Sequence, residues 1–244
     1  MRPKFQLAER FQARSRDFVV WDVGFGAAAN ALTVLRALGR VPGSIIMVSF
    51  DHTLEPLEFA LEHARELGYF DGFVEQLRVL IRQKLTRCTV DRATVEWQVR
   101  VGDFPTMLKT KEAQTLPKPD AILFDAFSPA QNPAMWTQPL FADVFSLLDP
   151  ARPCALATYS RSTMMRVSLL LAGFFVGAGH ATGEKEETTV AANTLGLVPE
   201  PLDHAWLKRA RRSTSAEPLW EPTYRQARLS ETSWERLQQH PQFR

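Results

Sequence analysis

The sequence predicts an α/β fold on a parallel sheet, and three observations carry that prediction. Short β-rich runs alternate with longer helical patterns over residues 17–195. The runs are rich in Val, Ile, Phe and Thr, and there are seven candidates. Four of them end in an acid or a glycine turn, at the carboxyl ends of strands where open parallel sheets bind ligands. Composition agrees: 244 residues with 45% hydrophobic, 23% charged and 10% aromatic content exclude collagen, coiled coil and wholesale disorder.

The strand candidates are Asp17–Gly24, Ser44–Asp51, Ala93–Arg100, Ala121–Phe127, Pro153–Ser160, Phe174–His180 and Thr188–Leu195. Between the second and third, Leu54, Leu57, Leu61, Ala64 and Leu67 recur at helical spacing, with Thr53 as the expected N-cap. Phe73, Leu77, Leu80 and Ile81 place a second helix over Phe70–Lys84 in the same crossover. Shorter helices are expected at Ala27–Leu38, Thr137–Leu148 and Ser162–Leu171, the last stopped by Gly173. From Pro199 the pattern breaks into Pro-punctuated segments with helices at Leu202–Arg212 and Ser230–His240. This divides the chain into a domain over 1–198 and an extension over 199–244 that packs on it.

Cys88 and Cys154 sit in apolar stretches without a Cys-x-x-Cys or His/Cys grouping, which argues against a disulfide scaffold and a zinc site and makes a reducing, cytoplasmic setting the default. The five histidines are scattered and suggest no metal. The longest apolar stretches, near Ser168–Val176 and Phe18–Val23, fall far short of the ~20 residues of a membrane span, and no leader-type region is visible. Net charge is +2, split between a body at −1 and a tail (201–244) at +3, which permits a nucleic-acid partner without requiring one.

Each strand end has two readings. Asp22-Val23-Gly24-Phe25-Gly26-Ala27-Ala28-Ala29-Asn30 is a glycine turn that either admits a ligand to the backbone or merely makes a compact β–α connection. Asp51 either accepts ribose hydroxyls or caps a helix. Asp103, in Val101-Gly102-Asp103-Phe104, either meets an adenine amino group or sits in a plain turn. The most specific segment is Ala121–Thr137: an apolar strand runs into Asp125, then a Pro-containing loop with Phe127 and Trp136, then a helix capped by Thr137.

That segment resembles the methyltransferase family of bacterial wobble-uridine tRNA modification, the methyltransferase half of the bifunctional 5-methylaminomethyl-2-thiouridine biosynthesis enzyme and its free-standing relatives. Ala121–Phe141 is similar to the family's Asp-x-Phe-[Ser/Ala]-Pro-x-x-Asn-Pro-x-x-Trp-Thr signature, Phe18–Asn30 to its cofactor turn and Ser49–Leu57 to its ribose segment. Leu156–Ser160 with Ala172-Gly173-Phe174 matches its fifth strand and following helix. The resemblance implies a Rossmann-like, class I S-adenosylmethionine-dependent methyltransferase fold: seven strands, mostly parallel, with helices on both faces. It implies S-adenosyl-L-methionine as cofactor, held by Gly24, Phe25, Gly26, Asn30, Asp51, Asp103 and Asp125. It implies tRNA as partner, with Phe127, Pro129, Asn132, Trp136, Tyr159 and Ser160 on the acceptor side and Asp125 orienting the attacking amine. Phe127 and Trp136 are then either stacking surfaces for a splayed base or packing for the loop. Arg78, Arg82, Lys84, Arg87 and Arg92, and Lys208, Arg209, Arg211 and Arg212, are either RNA contacts or solvated faces.

Two positions depart from the family pattern. Ala28 stands where relatives usually have Gly, and Gly183-Glu184-Lys185-Glu186-Glu187 replaces a basic stretch. The acidic stretch supports a paralogue with a different acceptor, and Ala28 lends weight to a non-catalytic RNA-associated module. A nicotinamide-dependent dehydrogenase fits the turn alone, but its longer glycine fingerprint is missing after Gly26.

Overall fold

The computed structural model describes residues 7–179 and 187–244. The chain forms two compact units. The first comprises residues up to Met107 together with Pro119–Asp125, and the second Leu108–Lys118 with Ala126–Arg244.

The first unit contains α1 (Leu7–Gln12), β1 (Phe18–Val23), α2 (Ala29–Gly39), β2 (Gly43–Asp51), α3 (Glu55–Glu62), α4 (Ala64–Leu67), α5 (Val74–Gln83), β3 (Leu85–Val90), β4 (Ala93–Val101), α6 (from Phe104 to Leu108) and β5 (Ala121–Phe124). Its strands lie in the order β3-β4-β2-β1-β5. Pairing is parallel at β4·β2, β2·β1 and β1·β5, and antiparallel at β3·β4. All six residues of β1 are buried, as the central strand of a covered parallel sheet must be. On one face, Phe18 and Val20 of β1, Ile45 and Met47 of β2 and Trp97 of β4 pack against Leu32 and Leu35 of α2 and Leu77 and Leu80 of α5. Each such side chain contributes about 1.5–3 kcal/mol on burial.

The second unit contains α7 (Lys111–Thr115), a 3₁₀ turn at Pro133–Trp136, α8 (Gln138–Leu147), β6 (Ala155–Thr158), α9 (Thr163–Ala172), β7 (Phe175–Gly179), β8 (Thr188–Ala192), β9 (Glu200–Pro201), α10 (His204–Arg212) and α11 (Glu231–Gln238). Its strands run β6-β8-β7-β9, antiparallel at each pairing. Residues 199–244 belong to this unit: β9 pairs with β7, and the Gln242 amide donates to the carbonyls of Val176 (2.7 Å) and Leu202 (2.9 Å).

The seven expected strands are all present, and the count of seven is corrected to nine among the described residues by β3 and β9. β3 escapes the periodicity because it is a half-exposed edge strand directly after α5. Lys84 turns the chain between them at φ 60, and Asp91 at φ 48 closes the hairpin into β4. The sheet is also more mixed than expected, since β6 to β9 pair antiparallel. The helix expected over Leu54–Leu67 breaks at His63 into α3 and α4, and Leu54 takes the cap position while the Thr53 hydroxyl accepts from the Glu55 amide (3.2 Å). Thr137 and Ser162 cap α8 and α9 as expected, and Gly173 ends α9 at φ 108. The acidic residues 184–186 and the expected strand end at His180 lie outside the described residues.

Candidate active site

In the first unit, β1, β2 and β5 deliver three carboxylates at their carboxyl ends. Parallel register sets this: Asp22 pairs with Ser49, Val23 with Phe50 and also with Phe124, so the residues that follow emerge side by side. The amides of Gly24 and Phe25 both donate to the Phe50 carbonyl (3.0 and 3.1 Å), which folds the turn back over β2. Gly24 and Gly26 take φ of 87° and 52°, conformations that glycine adopts freely. A Cβ built on Gly26 would meet nothing within 4 Å, so the backbone is open to a ligand there. Ala28 takes φ 66, so the turn forms with alanine in the left-handed region, and its methyl is fully buried in the apolar cluster. Tyr69 bridges the same turn, its hydroxyl donating to the Ala27 carbonyl (2.9 Å).

Asp51 is tied into this turn. Its Oδ2 accepts from the Gly26 amide (2.8 Å) and its Oδ1 from the His52 amide (2.7 Å). Asp103 caps α6, Oδ2 accepting from the amide (2.9 Å) and hydroxyl (2.5 Å) of Thr106, while the Gly102 amide donates to the Asp51 carbonyl (2.8 Å). Asp125 extends β5 by one bond, its amide donating to Val23 O (2.9 Å), and the exposed Asn30 side chain donates to its Oδ2 (2.5 Å). Asn30 and Asp125, 95 residues apart in sequence, therefore meet. The Phe25 ring is buried edge-on against Trp97 (5.8 Å), so only its backbone faces the turn.

Sequence reasoning missed the role of Asp22. Its side chain is buried; Oδ2 accepts from the Ser49 hydroxyl (3.0 Å), which itself accepts from Trp97 Nε1 (3.0 Å), and Oδ1 has no hydrogen-bond partner among the described residues. Burial pushes the Asp22 carboxyl from 3.8 up to about 7; the Ser49 hydrogen bond opposes this, and the charges of Asp125 and Asp51 reinforce it. An acid inside an otherwise apolar strand was the available signal.

In the second unit, the loop after β5 exposes Phe127 (66%) and buries Trp136 (0%). The Trp136 indole donates to the Phe127 carbonyl (2.6 Å) and packs edge-on to Tyr159 (5.9 Å), whose hydroxyl donates to the Ala126 carbonyl (3.0 Å). Of its two readings, Trp136 fits packing for the loop: a fully buried ring has no face to offer a base. Pro129 and Asn132 are half-buried, and the Asn132 amide donates to the Ser128 carbonyl (2.8 Å). Ser160 is buried, its carbonyl accepting from the Thr189 hydroxyl (2.7 Å). Of the basic clusters, Arg78, Arg87 and Arg211 are paired with Glu75, Glu96 and Glu231, which leaves them local work to do.

The family model for S-adenosyl-L-methionine-dependent methyltransferases matches residues 68–194, just over half the chain. The chain belongs to this family: it is an S-adenosyl-L-methionine-dependent methyltransferase. It is 29% identical over 220 residues, 86% of its length, to the tRNA 5-methylaminomethyl-2-thiouridine biosynthesis bifunctional protein MnmC of Ectopseudomonas mendocina. It is 30% identical over 217 residues, 84% of its length, to the protein of the same name from Ralstonia nicotianae. It spans about a third of the length of these relatives (32% and 30%). The crystal structure of MNMC2 from Aquifex aeolicus shares the fold, with a TM-score of 0.63 at 23% identity over 98% of this chain and 71% of that one. Among the described residues no helix is long and apolar enough to cross a membrane.

The residues present fit the cofactor. S-adenosylmethionine carries a sulfonium and an ammonium, and Asp22, Asp51 and Asp125 bring three interacting carboxylates to one place. Asp22 Oδ1 is a buried acceptor without a donor among the described residues, and the space over Gly26 is open.

Proposed function

We propose that this methyltransferase acts on the aminomethyl nitrogen of a modified wobble uridine in tRNA. The observation that carries the reading is Asp125: exposed at the tip of β5, one oxygen anchored by Asn30, at the head of a loop whose next aromatic, Phe127, stands in solvent. The likeness to the bifunctional MnmC proteins supports it.

S-adenosylmethionine supplies the electrophilic methyl group. The chain's own residues align and neutralise. Gly24 and Gly26 open the turn, Asp51 would offer its remaining lone pairs to the ribose, and Asp103 would hold the adenine. Asp125 Oδ2 is held by Asn30, so Oδ1 accepts from the aminomethyl nitrogen and directs its lone pair away from the carboxylate. Phe127 supplies a stacking face for an unstacked base; Trp136 and Tyr159 hold its backbone. Pro129, Asn132 and Ser160 shape the acceptor side. We assign 1–198 as the methyltransferase domain and 199–244 as an extension that packs on it. A tRNA acceptor puts the activity in the cytoplasm.

The test is transfer of labelled methyl from S-adenosylmethionine to tRNA bearing 5-aminomethyl-2-thiouridine, with fully modified tRNA as control. Label recovered in the wobble nucleoside of the first substrate alone is the expected result. Cofactor binding without label in that nucleoside would leave the family and remove the acceptor.

A further inference from the structure

The second unit contains a cavity of about 750 Å³ that none of the acceptor-side residues lines. Three arginines enter its wall from separate elements: Arg161 from the segment after β6, Arg166 from α9 and Arg209 from α10. Three acids line it too, and the balance between them decides what it binds.

Arg166 is buried and committed. Its Nη2 meets Glu187 Oε1 (2.5 Å) and the Thr188 carbonyl (3.1 Å), and its Nε donates to the Thr189 hydroxyl (2.9 Å). Asp203 is spent on capping α10, accepting from the Trp206 amide (2.7 Å) where the helix dipole offsets its charge. Arg161 and Arg209 are exposed and have no hydrogen-bond or ion-pair partner among the described residues. The uncommitted charge is thus two guanidiniums against Glu200. The wall is also wired to the acceptor side, since the Thr189 hydroxyl that accepts from Arg166 donates to the Ser160 carbonyl (2.7 Å), and Arg161 is the next residue.

We infer that this cavity binds a phosphate group of the RNA acceptor, with Arg161 and Arg209 donating to its oxygens and Arg166 holding the Ser160–Arg161 segment in place. The inference rests on the tRNA reading above. Guanidinium forks match phosphate geometry, and the volume falls within the ~300–1,000 Å³ of small-ligand sites, enough for a nucleotide. A free nucleotide presents the same chemistry, so the test separates the two sources.

A labelled anticodon stem-loop is titrated by fluorescence anisotropy between about 50 and 200 mM salt. Arg161→Ala/Arg209→Ala is compared with Arg225→Ala/Arg228→Ala, which removes equal charge from exposed positions outside the cavity. The cavity variant is expected to bind about tenfold more weakly, with a salt slope shallower by ~0.7 for one lost phosphate contact. The control should retain most of the affinity, and S-adenosylmethionine binding should be unchanged in both. Equal weakening by the two variants, or none by the first, overturns the inference. Should the wild-type protein not bind the stem-loop, the tRNA reading fails separately, and uridine 5′-monophosphate decides the cavity. Saturable binding abolished by Arg161→Ala/Arg209→Ala makes it a nucleotide site; its absence overturns the phosphate assignment.

Discussion

Replacing Asp22 by Asn should change how stability depends on pH, and the structure sets the window. In the native protein burial holds the carboxyl at about 7, against 3.8 when unfolded. Below 3.8 both states are protonated and Asp22 adds no pH dependence. Between 3.8 and about 7 the native state alone retains the proton, so the stability that Asp22 contributes is progressively lost as pH rises, and above about 7 it is flat again. At ~1.4 kcal/mol per pH unit, the full span is about 4 kcal/mol. Asparagine keeps the shape and an oxygen for the Ser49 hydroxyl, but it has no charge to bury. Urea unfolding of wild type and Asp22→Asn at half-unit intervals isolates the effect, because groups that do not interact with Asp22 cancel in the difference. The variant should gain about 4 kcal/mol relative to wild type between the two ends of that window. A difference that is constant with pH would refute the reasoning, since Asp22 would then take up its proton equally in the folded and unfolded states.

Four further outcomes follow from the site. Asp125→Ala should abolish methyl transfer while the thermal midpoint stays within a few degrees, because the side chain is exposed and loses only its Asn30 partner; full activity in the folded variant would remove Asp125 from the chemistry. Asp51→Ala should weaken S-adenosylmethionine binding by about 1–3 kcal/mol in a calorimetric titration, since the Gly26 amide and the ribose both lose an acceptor; unchanged affinity would reduce Asp51 to a turn brace. Trp136→Phe should lower stability by about 1–3 kcal/mol by leaving the Phe127 carbonyl unpaired. Phe127→Ala should move stability by no more than ~0.5 kcal/mol and raise the acceptor KM, and the reverse pattern would make Trp136 the stacking surface.

What could be read in the chain was whatever depends on neighbours a few residues away. Runs rich in Val, Ile, Phe and Thr marked the strands, the hydroxyls of Thr137 and Ser162 marked two helix starts, and Gly173 marked an end, because a cap or a left-handed turn is made by local backbone geometry. The positions of Asp51, Asp103 and Asp125 at strand ends followed from the same runs, and so did the glycine turn. β3 was missed because a half-exposed edge strand has no apolar face to announce it.

The rest is a matter of distant partners. Only the parallel register of β1 with β2 places Ser49 beside Asp22, and only that enclosure withdraws water from a carboxyl which, judged from its sequence, should ionise like any other. Only the fold turns Phe127 outward and Trp136 inward, although the sequence offers both as aromatics of one loop. The same holds for Arg166, which pairs with Glu187 and so leaves Arg161 and Arg209 to carry the free charge of the cavity. Sequence alone determined seven of the strands, the helix starts and ends that local caps mark, and the family, since these are written in short-range patterns. Tertiary structure decided which groups are dry, paired or exposed, since solvation and pairing depend on residues that the chain brings together from far apart.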